Sequence, residues 1–145
     1  MISKTPWKGF DKKNDVVGCF VCVDGKFLLI QRAPNKPEGG TWALAGGKVE
    51  EREEIVDALV RESFEETGIV LDLKKVIHSQ TYYVNIGLYD FAYHVYTISL
   101  PSYPEIHLDM SALSAHVWVT PQQALMYNLI QDGDVVIRDF YKIFA

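Results

Sequence analysis

Apolar and polar positions change period along this chain, and the changes mark its elements. Residues 15–23 and 26–32 form short apolar-rich runs of strand length, and Asp24-Gly25 between them is a two-residue hairpin signal. Residues 33–41 carry two prolines and two glycines and read as a loop; residues 42–45 read as a short strand running into Gly46-Gly47. From residue 53 to residue 67 the period becomes helical. Ile55, Val56, Leu59, Val60 and Phe64 share one half of that helix with Ser63 in their middle, and Gly68 stands where a C′ glycine ends it. Glu62, Glu65 and Glu66 fall on an adjoining arc that also holds Ala58. The expectation is an aliphatic stripe buried against a sheet and an acidic shoulder facing a cleft. A buried Ser63 needs a hydrogen bond, for which the carbonyl four residues earlier is the local acceptor.

Beyond the helix, residues 70–78, 81–85, 91–100 and 116–120 read as strands, with a turn near 85–90 and a polar loop over 101–114. Phe91, Tyr93 and Val95 alternate onto one strand face, so core packing is their default role, with base stacking by one of the aromatics after the helix, or by Trp7, as the alternative. Thr120 is placed to cap a short helix beginning at Pro121, where proline is favoured at the first helical position. Residues 134–144 form a C-terminal helix with a mostly apolar face, and residues 1–14 a polar lead-in rather than a folded unit. Strands on both sides of one central helix, plus a terminal helix, imply an α/β protein with helices packed on a mixed sheet.

Composition narrows the classes. A chain of 145 residues suits one domain with one sizeable core, and 48% apolar with 23% charged residues is ordinary for a globular protein. A net charge of −5 gives no basic footprint for stable nucleic-acid binding. Small phosphorylated substrates remain compatible, because a bound cation inverts the field of an acidic site. Cys19 and Cys22 lack a second pair to close a zinc site, and three residues apart on a strand they point to opposite faces, as two buried free thiols. Free thiols fit a reducing compartment. With no signal segment and no run near the ~20 apolar residues of a membrane span, cytoplasm is the default expectation. Monomer and homodimer both stay open.

The acidic arc carries the chemistry. Carboxylates at i, i+3 and i+4 repel by a few tenths of a kcal/mol per pair on an isolated helix, a cost that makes sense around a hard divalent cation with oxygen ligands. The spacing extends further. Gly47, Glu53, Arg61-Glu62, Glu65-Glu66 and Gly68-Ile69 fit G-x5-E-x7-R-E-U-x-E-E-x-G-U (U apolar) at eight of nine fixed positions; Ser63 departs from the usual aliphatic residue. In these residues, and upstream in Gln31-Arg32 and in residues 42–47, the chain resembles the Nudix hydrolase family.

That resemblance implies an α/β/α sandwich and hydrolysis of a nucleoside diphosphate linked to a group X, aided by Mg²⁺ or Mn²⁺. It implies metal ligation by Glu62, Glu65 and Glu66 with the Gly46 carbonyl, Glu62 and Glu66 carrying most of it. Gly46 and Gly47 would let backbone approach a phosphate closely. Arg61 is expected to orient the loop or a glutamate, and Glu53 to pair with it or to act as base. Arg32 is a phosphate clamp by resemblance, weighed evenly against an exposed strand-end charge. Asn128 and Asp132 stand where some relatives place base-reading groups. The extra loop acid of many relatives falls on Ala112-Leu113, which cannot serve, so Glu105, Asp109 and His116 are its substitutes. Water activation is then expected to rest on Glu65 or Glu53, with modest effects from Glu105→Gln and Asp109→Asn. A nucleoside triphosphate giving the monophosphate and pyrophosphate is the expected substrate. A nucleotide sugar, a dinucleoside polyphosphate, or nucleotide sensing without turnover are the alternatives.

Overall fold

The computed structural model describes residues 1–144. Strands β2 (Lys12–Val23) and β3 (Lys26–Arg32) meet in a hairpin whose turn residues Asp24 and Gly25 have φ of 50° and 77°. Both are positive, as the tight turn that matches strand twist requires. Past the tip the two strands diverge. One edge of β2 is taken by the antiparallel strand β5 (Ala45–Lys48), with Val17 opposite Gly47 and Gly18 opposite Gly46. The other edge pairs in parallel with β7 (Asp90–Ser99) along most of its length. β7 in turn pairs with β6 (Ile77–Asn85), and β6 with β1 (Ile2–Ser3). On the far side β3 pairs with β8 (Leu113–Val119) and with β4 (Trp42–Ala43).

Alternation along these strands feeds two cores. Val17, Cys19, Val21, Leu28 and Ile30 pack with Ala58 and Leu59 of helix α1 (Ile55–Thr67). Phe20, Phe27, Leu29, Tyr82 and Val95 pack with Val136 and Ile137 of a C-terminal helix. Between the strands and that helix lies the short α2 (Pro121–Ala124), where the Gln123 amide donates to Thr120 Oγ1 and the Thr120 amide to Gln123 Oε1, a reciprocal cap. The C-terminal helix, α3 (Gly133–Tyr141), stacks Phe140 on Phe20 with centroids 4.0 Å apart. Full burial of a side chain such as Leu59 or Phe20 contributes roughly 2 kcal/mol each. The result is an α/β/α sandwich about a mixed sheet. Cys19 faces the α1 core and Cys22 the α3 core, and both are free.

Four expectations need correction. Residues 1–14 are not a detached lead-in: Ile2 and Ser3 pair with Val84 and Tyr83, and Trp7, Phe10 and Tyr83 form a chain of edge-on rings. Gly46-Gly47 lies within β5, because the β2 edge left free by the diverging hairpin accepts its backbone. Residues 70–76 do not make a strand. The Asp72 carbonyl accepts from the Lys75 and Val76 amides, and its carboxylate from the Lys74 amide, which closes a turn there. Residues 77–85 are then one continuous strand. Phe64 is 57% exposed rather than part of the buried stripe.

Candidate active site

The displacement of Phe64 shows how α1 sits. Its most buried residues are Ala58, Leu59, Ser63 and Thr67, so the helix is rolled toward its acidic arc. Small side chains at 58 and 63 on the buried face permit a close approach of the helix to the sheet. Ser63 Oγ makes no hydrogen bond, contrary to the expected bond to the preceding turn; instead Thr67 Oγ1 donates to the Ser63 carbonyl at 2.6 Å. Gly68, at φ 76°, ends the helix. The loop before β8 closes that end: the His107 amide donates to the Thr67 carbonyl (2.8 Å) and the Asp109 amide to the Glu66 carbonyl (3.0 Å).

The roll carries the glutamates onto the glycine strand. The Gly46 amide donates to Glu66 Oε1 at 2.8 Å. A Cβ on Gly46 would overlap the Val17 carbonyl oxygen, so that position accommodates no side chain, and one on Gly47 would displace the Glu62 carboxylate. Burial raises the Glu66 carboxyl to a pKa of about 8, although the Gly46 amide opposes the shift. Burial also raises Glu62, against the pull of Arg61.

Arg61 is the hub of the loop before the helix. Its Nε and Nη2 reach Glu53 Oε2 and Oε1 at 2.8 and 2.9 Å, and Nη2 also donates to the Lys48 carbonyl at 3.0 Å. Nη1 reaches Glu62 at 3.0 Å and Glu65 at 3.2 Å. The bidentate pair with Arg61 holds Glu53 down at a pKa of about 2, assisted by the Glu50 amide. A carboxylate so engaged is a positioning group and a weak base. Glu65 is 54% exposed and pairs with Arg61.

Of the loop groups, the structure brings Asp109 to the helix. Its negative charge contributes to the raised pKa of Glu66, and it stays ionised because the Ser111 amide and hydroxyl donate to Oδ1. Glu105 is exposed and pairs with His107, whose ring therefore has a partner that the sequence did not show. His116 lies on β8 opposite Ile30. Asp109 lacks the spacing of the family's loop acid; its signal was its place in the loop that closes the end of α1.

A cavity of about 180 Å³, room for roughly six waters at their volume in the liquid, opens on the α3 side of the same glycines. Apolar side chains such as Leu29, Leu44, Val84 and Phe91 dominate its walls; Arg32, Tyr93 and Asp132 are among the few polar ones. Arg32 is anchored by donating from Nε to the Pro37 carbonyl at 2.7 Å, and its charge acts on Glu66, so the cavity borders the acidic face. Asp132, at φ 64°, keeps Oδ2 buried with no hydrogen bond and the N-terminal amine 3.8 Å away. Asn128 is not brought there. It is exposed, and its carbonyl accepts from the Trp42 amide. Tyr93, whose alternation reads by default as core packing, lines the cavity, and burial keeps its phenol protonated.

Among the described residues no three acidic, histidine or cysteine side chains converge closely enough to cage an ion as they stand. The donor set nevertheless fits a hard divalent cation. Glu62 and Glu66 are desolvated carboxylates turned onto an arginine and an amide, and glycines flank them where a side chain would fill the space. No helix among the described residues is long and apolar enough to cross a membrane.

The α/β/α sandwich sets a carboxylate helix beside an apolar cavity, and its family match makes it a hydrolase of phosphoric anhydrides. Residues 12–140 match the NUDIX domain, and the chain belongs to that family. It is 36% identical over 140 residues to the CTP pyrophosphohydrolase of Escherichia coli (strain K12), covering 92% of this chain and 96% of that protein. It is 34% identical over 129 residues to the nucleoside triphosphatase NudI of Escherichia fergusonii, covering 81% and 89%. The crystal structure of a MutT NUDIX hydrolase from Burkholderia pseudomallei shares the fold, with TM-score 0.75, 26% identity, and coverage of 86% and 95%.

Proposed function

We propose that this chain acts as one domain to hydrolyse a nucleoside triphosphate to the monophosphate and pyrophosphate. The observation that carries the reading is the position of the Gly46-Gly47 strand, with an apolar cavity on one side and the glutamates of α1 on the other. In this reading the base and sugar enter the cavity and the phosphates pass over the glycines. The two curated relatives spanned along most of their length are named for nucleoside triphosphates, which makes cytidine triphosphate the first substrate to assay.

Glu62, Glu65 and Glu66, with the Gly46 carbonyl, would hold Mg²⁺ or Mn²⁺. When bound, the ion supplies charge neutralisation at the diphosphate and a more acidic water. The chain's own residues do the rest. Arg61 fixes the loop through Glu53 and the Lys48 carbonyl and orients Glu62, while Arg32 at the cavity rim meets phosphate charge. Asp109, ionised beside the end of α1, is the candidate proton acceptor, ahead of Glu53. Glu65, the more exposed carboxylate, is the other candidate.

The test is a panel of canonical and oxidised nucleotides, nucleotide sugars, ADP-ribose and dinucleoside polyphosphates in Mg²⁺, with products identified by mass. The expected result is preferred turnover of a triphosphate with release of pyrophosphate. Far better turnover of a nucleotide sugar or ADP-ribose would overturn the substrate class, and binding without product would make the chain a sensor.

Two further outcomes are expected. Because the charge of Asp109 is felt at Glu66, Asp109→Asn should lower kcat about tenfold or more while Glu105→Gln changes it less than threefold, an order of magnitude being about 1.4 kcal/mol. Equal effects of the two in steady-state kinetics would remove Asp109 from the proton-transfer role.

The second outcome concerns pH. Glu66 titrates near 8 in the folded chain against an ordinary 4.5. Between those values the folded chain holds a proton that the unfolded chain has released, so this group makes metal-free stability fall as pH rises. The same proton competes with Mg²⁺, so apparent metal affinity should climb by up to about tenfold per pH unit towards 8. Thermal melts and Mg²⁺ titrations between pH 5 and 9 measure both. A pH-independent Mg²⁺ affinity would contradict the assignment.

A further inference from the structure

Tyr93 combines features that packing does not require. It lies on β7 beside β2, and its hydroxyl sits over Gly18, where an added Cβ would overlap the phenolic oxygen and ring. An alanine at 18 would displace the ring, so the bare glycine is what lets the hydroxyl reach the middle of β2. Gly18 pairs directly with Gly46, the residue whose amide holds Glu66. The hydroxyl therefore stands on the cavity side of the same glycine pair that borders the carboxylates. Among the described residues it has no hydrogen-bonding partner, and it is not sealed off as Ser63 Oγ is. Tyr93 also lines the cavity. A mostly buried phenol with an open O–H in an apolar cavity is placed to hydrogen-bond whatever fills that cavity.

We propose that Tyr93 is a specificity-determining residue that hydrogen-bonds a hydroxyl of the substrate's sugar. This inference rests on the nucleotide reading above. The position selects the sugar. If base and sugar occupy the cavity and the phosphates cross the glycines, the part of the nucleotide nearest the Gly18–Gly46 pair is the sugar where it joins the phosphates. The phenol O–H donates to a sugar hydroxyl oxygen, and that hydroxyl can return a bond to the phenolic lone pair. Phenylalanine would preserve the ring and its packing while removing this contact alone.

The experiment compares wild type with Tyr93→Phe on a ribonucleoside triphosphate and on its 2′-deoxy and 3′-deoxy counterparts, measuring kcat and KM in Mg²⁺. A neutral hydrogen bond corresponds to about three- to tenfold. For the wild type, removing the bonded sugar hydroxyl should cost about that factor in kcat/KM, mostly through KM. Tyr93→Phe should cost the same on the substrate that carries the hydroxyl and nothing further on the one that lacks it. Its melting temperature should be unchanged or higher, because the hydroxyl has no protein partner to lose. Equal losses on all three sugars, no loss on any, or a melting temperature several degrees lower would each overturn the assignment. A wild type that hydrolyses no nucleotide on the panel would instead sink the functional reading, and the two failures are distinguishable.

Discussion

Glu66→Gln is expected to lower kcat/KM in Mg²⁺ by about three orders of magnitude, roughly 4 kcal/mol of barrier. Glutamine keeps an oxygen for the Gly46 amide, so the contact between β5 and α1 survives while the charge that would hold a cation is lost. Stability should move the other way. At pH 6 wild-type Glu66 is largely protonated, since its pKa is about 8, and the variant should melt at nearly the same temperature. At pH 9 the wild type carries a desolvated charge that the variant lacks, and metal-free Glu66→Gln should melt higher. Kinetics in Mg²⁺ together with melts at the two pH values decide it. Activity within tenfold of wild type, with an intact circular dichroism spectrum, would remove Glu66 from the metal site.

Arg61→Ala carries the second large effect, a fall in kcat/KM of about a hundredfold, near 3 kcal/mol. Two oxygens of Glu53, one each of Glu62 and Glu65, and the Lys48 carbonyl all accept from this one guanidinium. Without it three carboxylates face each other with no cation between them, and the loop entering α1 loses its tether. Lysine offers a point charge with three donors in place of a planar fork of five, so Arg61→Lys should recover less than a tenth of the lost activity. Excess Mg²⁺ should restore part of the alanine variant's rate by supplying charge, which a purely structural role would not allow. Full rescue by lysine would show that charge alone matters at 61.

What the sequence disclosed and what it hid follow physical lines. Glu62, Glu65 and Glu66 were readable because charge repulsion at helical spacing has few explanations, and Gly68 because a left-handed helix end favours glycine. The hairpin at Asp24-Gly25 was equally plain. Strand β5 was hidden: Gly46-Gly47 has no side-chain alternation, and its pairing depends on β2 and β3 parting beyond their turn. The roll of α1 was hidden too, because the small Ala58 and Ser63 take the buried face while Phe64 is left outside. Residues 70–76 misled because their apolar positions mimic a strand, whereas Asp72 folds them into a turn. The cavity could not be read from any one segment. Arg32, Gly46, Tyr93 and Asp132 reach it from widely separated stretches, and only the sheet order brings them together.

The parallel pairing of β2 with β7 has a kinetic consequence. Gly18 lies beside Val95, and everything from the hairpin through α1 is looped out between them. Closing so long a loop is an entropic barrier that local hairpins do not face, so this pairing should be among the later events of folding. Strand β5 and helix α1 assemble on β2 without β7, but Val84, Phe91 and Tyr93 bring cavity walls from β6 and β7, so the carboxylates and the cavity face each other only when that pairing completes. A ligand bound across both should then slow unfolding while leaving the refolding rate almost unchanged, because the groups it grips are not yet assembled at the barrier.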